Sequence, residues 1–273
     1  LSIRRQRQMC IRHSYGPGIP LGYYSNPNVL FYGLPVGSAA ANNAAAINQT
    51  ARMVGSYLSG GMDSATCLWW VQKNHPGEIH TISIDYHQRH RVELDYAARL
   101  AARAGVHSHK VIQLDLASIG GSPLTDARLK VPAAQEERPG ATVVPFRNML
   151  FVTLAAAYAE TQDIQDLIIA PVRDDYQAYR DCRRTFYDSL EKSLGLGATE
   201  DRPFRLHTPF VDKWKTAVIA LGLELGVPYE ITHTCYEGLR PSCGRCDACT
   251  ERIEAFMANK ERDPLDYCID ISW

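Results

Sequence analysis

No apolar run in this chain approaches the ~20 residues a helix needs to cross a bilayer, so no helical membrane span is expected. The first residues show no basic start followed by an apolar core, so no secretory leader is expected either. Neither sign of charge is in excess: 29 basic against 30 acidic residues give a net charge of −1. That balance argues against bulk electrostatic binding of nucleic acid, and no stable nucleic-acid complex is expected. No internal repeat is visible, which excludes solenoids and propellers. Neither a G-x-G-x-x-G run nor a Gly-Lys-Ser/Thr ending marks the chain's glycine-rich loop, which sets aside dinucleotide and Walker sites. What remains is a 273-residue chain with 45% hydrophobic content, ample for a full core in one large or two small domains. A cytoplasmic location is expected.

The most informative run is Ser59-Gly60-Gly61-Met62-Asp63-Ser64. It follows an apolar segment (Met53, Val54, Tyr57, Leu58) and precedes a helix-like stretch from Ala65 to Val71. A strand, a glycine turn and a helix N-terminus form a phosphate cradle, because glycines admit close approach and the first-turn N–H groups point at the anion. Asp63 would repel a phosphate unless a magnesium ion bridges the two. Nucleotide chemistry with a metal is therefore expected here.

Strand and helix alternate from Met53 onward. Strands are expected at Ile79–Ile84, Lys110–Leu114 and Leu167–Ala170, besides the one before Ser59. Helices are expected at Val92–Ala104, Arg147–Glu160, Cys182–Leu194 and Lys213–Leu225, with Gly105 ending the first. Residues 115–144 read as a long loop, usually functional at that length. The alternation predicts an α/β fold with a parallel sheet covered on both faces, and a ligand at the C-terminal strand ends. Residues 1–50, rich in Gly, Pro, Asn and Tyr, read as an extension with a short strand at Val29–Tyr32 and a helix start in Ser38–Ala46.

Of eight cysteines, Cys10, Cys67, Cys182 and Cys268 read as small apolar residues. Cys235, Cys243, Cys246 and Cys249 crowd together, with Gly244 permitting a tight knuckle. That spacing suits structural tetrahedral zinc, the iron–sulfur cluster being the alternative four-thiolate occupant.

The SGG-x-DS run resembles the PP-loop of ATP pyrophosphatases. Further segments resemble one branch of that family, 7-cyano-7-deazaguanine synthase of the queuosine pathway. Asp85-Tyr86-His87-Gln88-Arg89-His90 with Glu93-Leu94 resembles its YGQRH-x-x-EL signature. Val144-Pro145-Phe146-Arg147-Asn148 resembles its VP-x-RN helix start, and Asp175-Tyr176 with Tyr179-Arg180-Asp181-Cys182-Arg183 its DYSGYPDCR segment. Leu223–Glu230 through Cys249 resembles its ELGVP-x-E and zinc ending. The likeness runs from about Val54 to Glu254. It implies a Rossmann-like PP-loop domain at residues 51–230 and a four-cysteine zinc segment at 231–273.

The resemblance implies that the carboxylate of 7-carboxy-7-deazaguanine is adenylated by ATP. Ammonia then forms an amide, and a second ATP converts the amide to a nitrile. Ser59, Gly60, Gly61, Met62, Asp63 and Ser64 would hold the ATP phosphates and Mg²⁺. Arg89, His90 and Arg147 would neutralise phosphate or carboxylate, His90 alternatively moving a proton, and the rival expectation for Arg89 and His90 is a solvated helix start. Asn148 would cap its helix or bond the substrate. Asp175, Tyr176, Tyr179 and Asp181 would line the deazaguanine pocket. A homodimer is implied.

Departures from the family pattern are His87 in place of glycine, Pro171-Val172-Arg173-Asp174 before Asp175, and Gln177-Ala178-Tyr179-Arg180 for Ser-Gly-Tyr-Pro. They are expected at the substrate and acceptor pocket. They keep open a relative of antiphage operons that stops at an amide with another amine, such as a protein N-terminus. A tRNA-thiolating PP-loop enzyme and a zinc-stabilised binding module are the remoter alternatives.

Overall fold

The computed structural model describes residues 52–54, 58–75, 77–136, 140–199 and 204–273, so the extension and its expected strand and helix start lie outside the described residues. Strand β1 is Arg52–Val54, β2 Ile79–Asp85, β3 Ser108–Gln113, β4 Asp166–Ile168 and β5 Arg205–His207. The helices are α1 Met62–Asn74, α2 Glu93–Ala104, α3 Arg147–Thr161, α4 Arg184–Gly197, α5 Lys215–Glu224 and α6 Asp247–Ala258.

The strands form one sheet in the order β3-β2-β1-β4-β5, with every pairing parallel. All seven residues of β2 are buried, as expected of a strand covered on both faces. One core cluster joins Leu58, Met62, Leu68 and Val71 to Ile168, Val218 and Ile219; a second joins Ile82 and Leu167 to Ala155 and Ala159 of α3. Each fully buried aliphatic side chain contributes about 2 kcal/mol by leaving water. The first cluster also takes in Tyr229 together with Ala255 and Phe256 of α6, so one core runs across position 230.

Three expectations need correction. Strand β5 was not foreseen, because Arg-Leu-His offers no apolar run. Strand β4 starts earlier than Leu167, at Asp166, whose buried carboxylate meets Arg205 Nη2 at 2.7 Å and His207 Nε2 at 2.6 Å. The helix expected from Cys182 begins at Arg184, after a separate 3-10 turn at Arg180–Cys182. The 115–144 loop contains, among its described residues, only a 3-10 turn at Ala134–Glu136.

Candidate active site

The strand order reverses at β1, between β2 and β4, and a crevice for a ligand opens there at the C-terminal strand ends. The loop after β1 supplies Ser59, Gly61, Met62, Asp63 and Ser64 to a cavity that Ile169, Ala170 and Pro171 after β4 complete. The loop is tied internally. The Gly61 N–H donates to Ser59 Oγ at 3.1 Å, Ser64 Oγ donates to the Gly61 carbonyl at 3.1 Å, and the two serine oxygens lie 3.1 Å apart. Gly61 caps α1 in extended conformation, so the first-turn N–H groups face the cavity. Gly60 serves differently from expectation. It does not line the cavity; its φ is +81°, and an added Cβ would lie 2.3 Å from the Glu93 carbonyl oxygen. It lets the loop press onto the start of α2, while its own carbonyl accepts the His233 N–H at 2.8 Å.

Sequence reasoning missed the residue at the centre of the charge pattern. Lys215 is buried at the first position of α5, with Nζ 3.8 Å from Asp63 Oδ2 and in contact with Glu251 of α6. Burial disfavours its charge, but Glu251, Asp63 and Asp175 outweigh burial and hold its pKa well above the ordinary lysine range. Burial raises the carboxyl pKa of Asp63 and carries that of Asp175 to about 7, each opposed by Lys215. Asp63 Oδ1 is buried without a hydrogen-bond partner, an oxygen available to a cation. A lysine in a helix's first turn opposes the macrodipole, and that anomaly was the available signal in the sequence.

A second group sits across the cavity. His90, Glu93, Arg147 and Asn148 line it. Glu93 accepts from Gln88 Nε2 at 3.1 Å and lies 3.6 Å from His90 Nε2. Burial lifts Glu93 to about 8 and pushes His90 down to about 3, the latter with help from Arg147 and His233. His90 is therefore a neutral imidazole near pH 7, and its rival placement on a solvated helix start is excluded by its 5% exposure. Arg147 stands with its guanidinium carbon 6.0 Å from the Tyr179 ring centre. Glu93 was quoted in the motif without a role, and Tyr236 and Glu251 were missed entirely.

Several expected residues face elsewhere. Arg89 does not line the cavity: its Nη1 donates to Glu237 at 2.9 Å and its Nη2 to the carbonyls of Asp126, Ala127 and Leu129. Tyr176 points its hydroxyl to the Val211 carbonyl and to Asp212 at 3.1 Å. Tyr179 bonds Thr142 at 2.7 Å from behind Arg147. Asp181 accepts the Asn148 backbone N–H at 3.3 Å, satisfying the first turn of α3. Asn148 is not the cap, which is Phe146; its amide reaches the Asp181 carbonyl and Cys182 Sγ, each at 3.4 Å. Of the residues expected at the substrate pocket, Asn148 and Asp175 line the cavity.

Of the departures, Pro171 lines the cavity, whereas His87 and Arg173 lie outside it, contrary to expectation. His87 is exposed and pairs with Asp115 at 3.4 Å, and Arg173 is exposed with its guanidinium 4.7 Å from the Trp214 ring centre. Gln177, Ala178 and Arg180 are not among the lining residues.

Cys235, Cys243, Cys246 and Cys249 bring their sulfurs within 4.8 Å of one another, with Cys243 and Cys249 at 3.8 Å. Four thiolates around one ion at ~2.3 Å sit roughly 3.8 Å apart, so the set fits a tetrahedral metal. Backbone N–H groups of Arg245 and Cys246 point at Cys243 Sγ at 3.4 and 3.3 Å, and Gly244 turns the knuckle at φ +70°. Beside it, the buried Arg252 donates to both Asp263 oxygens and to Thr232, tying α6 to the C-terminal segment. No described helix is long and apolar enough to cross a membrane.

The chain is 42% identical over 216 residues to the 7-cyano-7-deazaguanine synthase of Clostridium kluyveri, covering 77% of this chain and 95% of the relative. It is 40% identical over 213 residues to that of Persephonella marina, covering 76% and 93%, and 38% identical over 244 residues to that of Rhodopirellula baltica, covering 84% and 97%. The family model described as queuosine biosynthesis protein QueC matches residues 53–260. With its Rossmann-like PP-loop fold, a parallel sheet between helices, the chain belongs to the QueC family.

Proposed function

We propose that this protein is an ATP-dependent ligase that makes 7-cyano-7-deazaguanine from 7-carboxy-7-deazaguanine and ammonia. The observation that carries the proposal is one cavity in which the phosphate loop faces a second, separately charged wall. Ser59, Gly61 and Ser64 with the α1 N-terminus receive the ATP phosphates. Asp63, with its unpartnered buried oxygen, would hold Mg²⁺, which supplies charge neutralisation to the phosphates. Lys215 adds a fixed cation on the same side, and Arg147 faces the carboxylate substrate from the other.

A carboxylate oxygen attacks the α-phosphorus and pyrophosphate leaves, giving an acyl adenylate. Ammonia attacks the carbonyl carbon, loses a proton and expels AMP. The amide oxygen attacks a second ATP, again releasing pyrophosphate. Loss of AMP and of both amide protons leaves the nitrile. Glu93 lines the same cavity and, with a pKa raised to about 8, can exchange a proton near neutral pH. The protein's contribution is mainly positioning and charge neutralisation. The four-cysteine site would hold structural zinc, since all four positions are filled by protein and none remains open for chemistry.

The outward positions of His87 and Arg173 favour ammonia over a larger acceptor amine. The test is mass spectrometry after incubation with ATP, Mg²⁺, the carboxylic acid and ammonia. A nitrile with two AMP and two pyrophosphate per turnover is expected. An amide end product would redirect the search to another amine, and an untouched acid would remove the substrate assignment.

A further inference from the structure

The opposite end of the sheet carries a cluster that the chemistry above does not use. Glu78 precedes β2, His80 is its second residue, and His107 directly precedes β3. In a parallel sheet these positions lie at the N-terminal strand ends, away from the phosphate loop. The His107 backbone N–H donates to the Ile79 carbonyl at 2.8 Å, which fixes the two strand entrances side by side.

Glu78 Oε1 lies 3.5 Å from His107 Nδ1, and Glu78 Oε2 lies 3.9 Å from His80 Nε2. All three donor atoms fall within 4.8 Å of one another. An ion held at about 2.1 Å by each donor would space them roughly 3.4 Å apart. The exposed side chains of Glu78 and His107 can rotate to close the remaining gap.

His80 supplies the independent observation. It is 6% exposed, and its Nε2 is buried with no hydrogen-bond partner. Its other nitrogen, Nδ1, lies 2.9 Å from Ser108 Oγ. With the proton on Nδ1 and donated to Ser108, the Nε2 lone pair faces Glu78 and His107. This is how ligating histidines are oriented from behind. Glu78 and His107 line an open hollow together with Gln72, His75 and Gly105, which gives an ion and its waters access from the solvent side.

We infer that Glu78, His80 and His107 form a second metal site for a zinc-class divalent transition ion, with Ser108 positioning His80. Two imidazoles and one carboxylate suit zinc, cobalt or nickel, whereas magnesium and calcium favour all-oxygen sets. Three protein donors leave a position for water. A bound ion would clip the entrances of β2 and β3 together and stabilise the folded state by mass action.

The test is calorimetric titration of Zn²⁺ into the full chain with its cysteine site already zinc-loaded, with melting followed in parallel. One further equivalent should bind and raise the melting temperature, and Mg²⁺ should do neither. His107→Ala and Glu78→Gln, at exposed positions that tolerate change, should each weaken this binding at least tenfold while cysteine-bound zinc stays at one per chain. Ser108→Ala should weaken it about tenfold. Absence of a further equivalent, or a further equivalent unaffected by His107→Ala and Glu78→Gln, overturns the site.

Discussion

Lys215 Nζ lies 3.8 Å from Asp63 Oδ2, joining the first turn of α5 to the first turn of α1 across the mouth of the phosphate loop. The pair sets the charge of the nucleotide wall: an anion held by a cation that itself contacts Glu251. Lys215→Met should reduce pyrophosphate release roughly a hundredfold, the usual loss when a preorganised charge is removed from a transition state. Lys215→Arg should recover part of it. Wild-type release from Lys215→Met would place the lysine outside the chemistry.

Glu93 makes stability depend on pH in a defined direction. Its folded pKa of about 8 lies above the ordinary value for glutamate, so the native state holds the proton more tightly than the unfolded chain. Its contribution is fully present below about pH 4, falls as pH rises, and is gone above about pH 8. Asp175, at about 7, acts in the same direction. Glu93→Gln should therefore gain stability relative to wild type between about pH 5 and 8. Parallel melting curves across that window would show that Glu93 titrates normally.

His87 occupies the left-handed region, φ +61°, where the family signature has glycine. A side chain there costs about 1 kcal/mol. His87→Gly should stabilise the chain by about 0.5–1 kcal/mol in urea denaturation, part of the relief being offset by glycine's freedom when unfolded. Because His87 is exposed and outside the cavity, kcat/KM should not change.

Arg89 looks catalytic in the motif but acts as a strut. Arg89→Met strips a donor from Glu237 and from three loop carbonyls, and should destabilise the fold by about 2 kcal/mol. Pyrophosphate release per folded molecule should stay near wild type. A rise in KM for ATP without loss of stability would return Arg89 to the nucleotide site.

Cys246→Ser should lower metal content and melting temperature together, because metal binding is linked to folding. Chelator treatment of the wild type should reproduce both changes. Unchanged melting after metal loss would mean that the Arg252–Asp263 pair and the α6 core hold the C-terminal segment unaided.

The sequence by itself determined what is local. The glycine loop from Ser59 into helix α1, the buried run of β2, the Gly105 stop and the four-cysteine knuckle are contiguous, so residue type and spacing specify them. Only the tertiary structure decided what depends on chain segments far apart. Lys215 reaches Asp63 because α5 packs beside α1, and Glu251 reaches Lys215 because α6 packs beside α5. Strand β5 pairs because the buried Asp166 accepts Arg205 and His207. Arg89 turns from the cavity because the 126–129 loop presents carbonyls to it, and Gly60 is required by the backbone of α2 rather than by an anion. A side chain's direction follows from which distant partners satisfy its charge and hydrogen bonds, and a motif read along the chain carries no information about those partners.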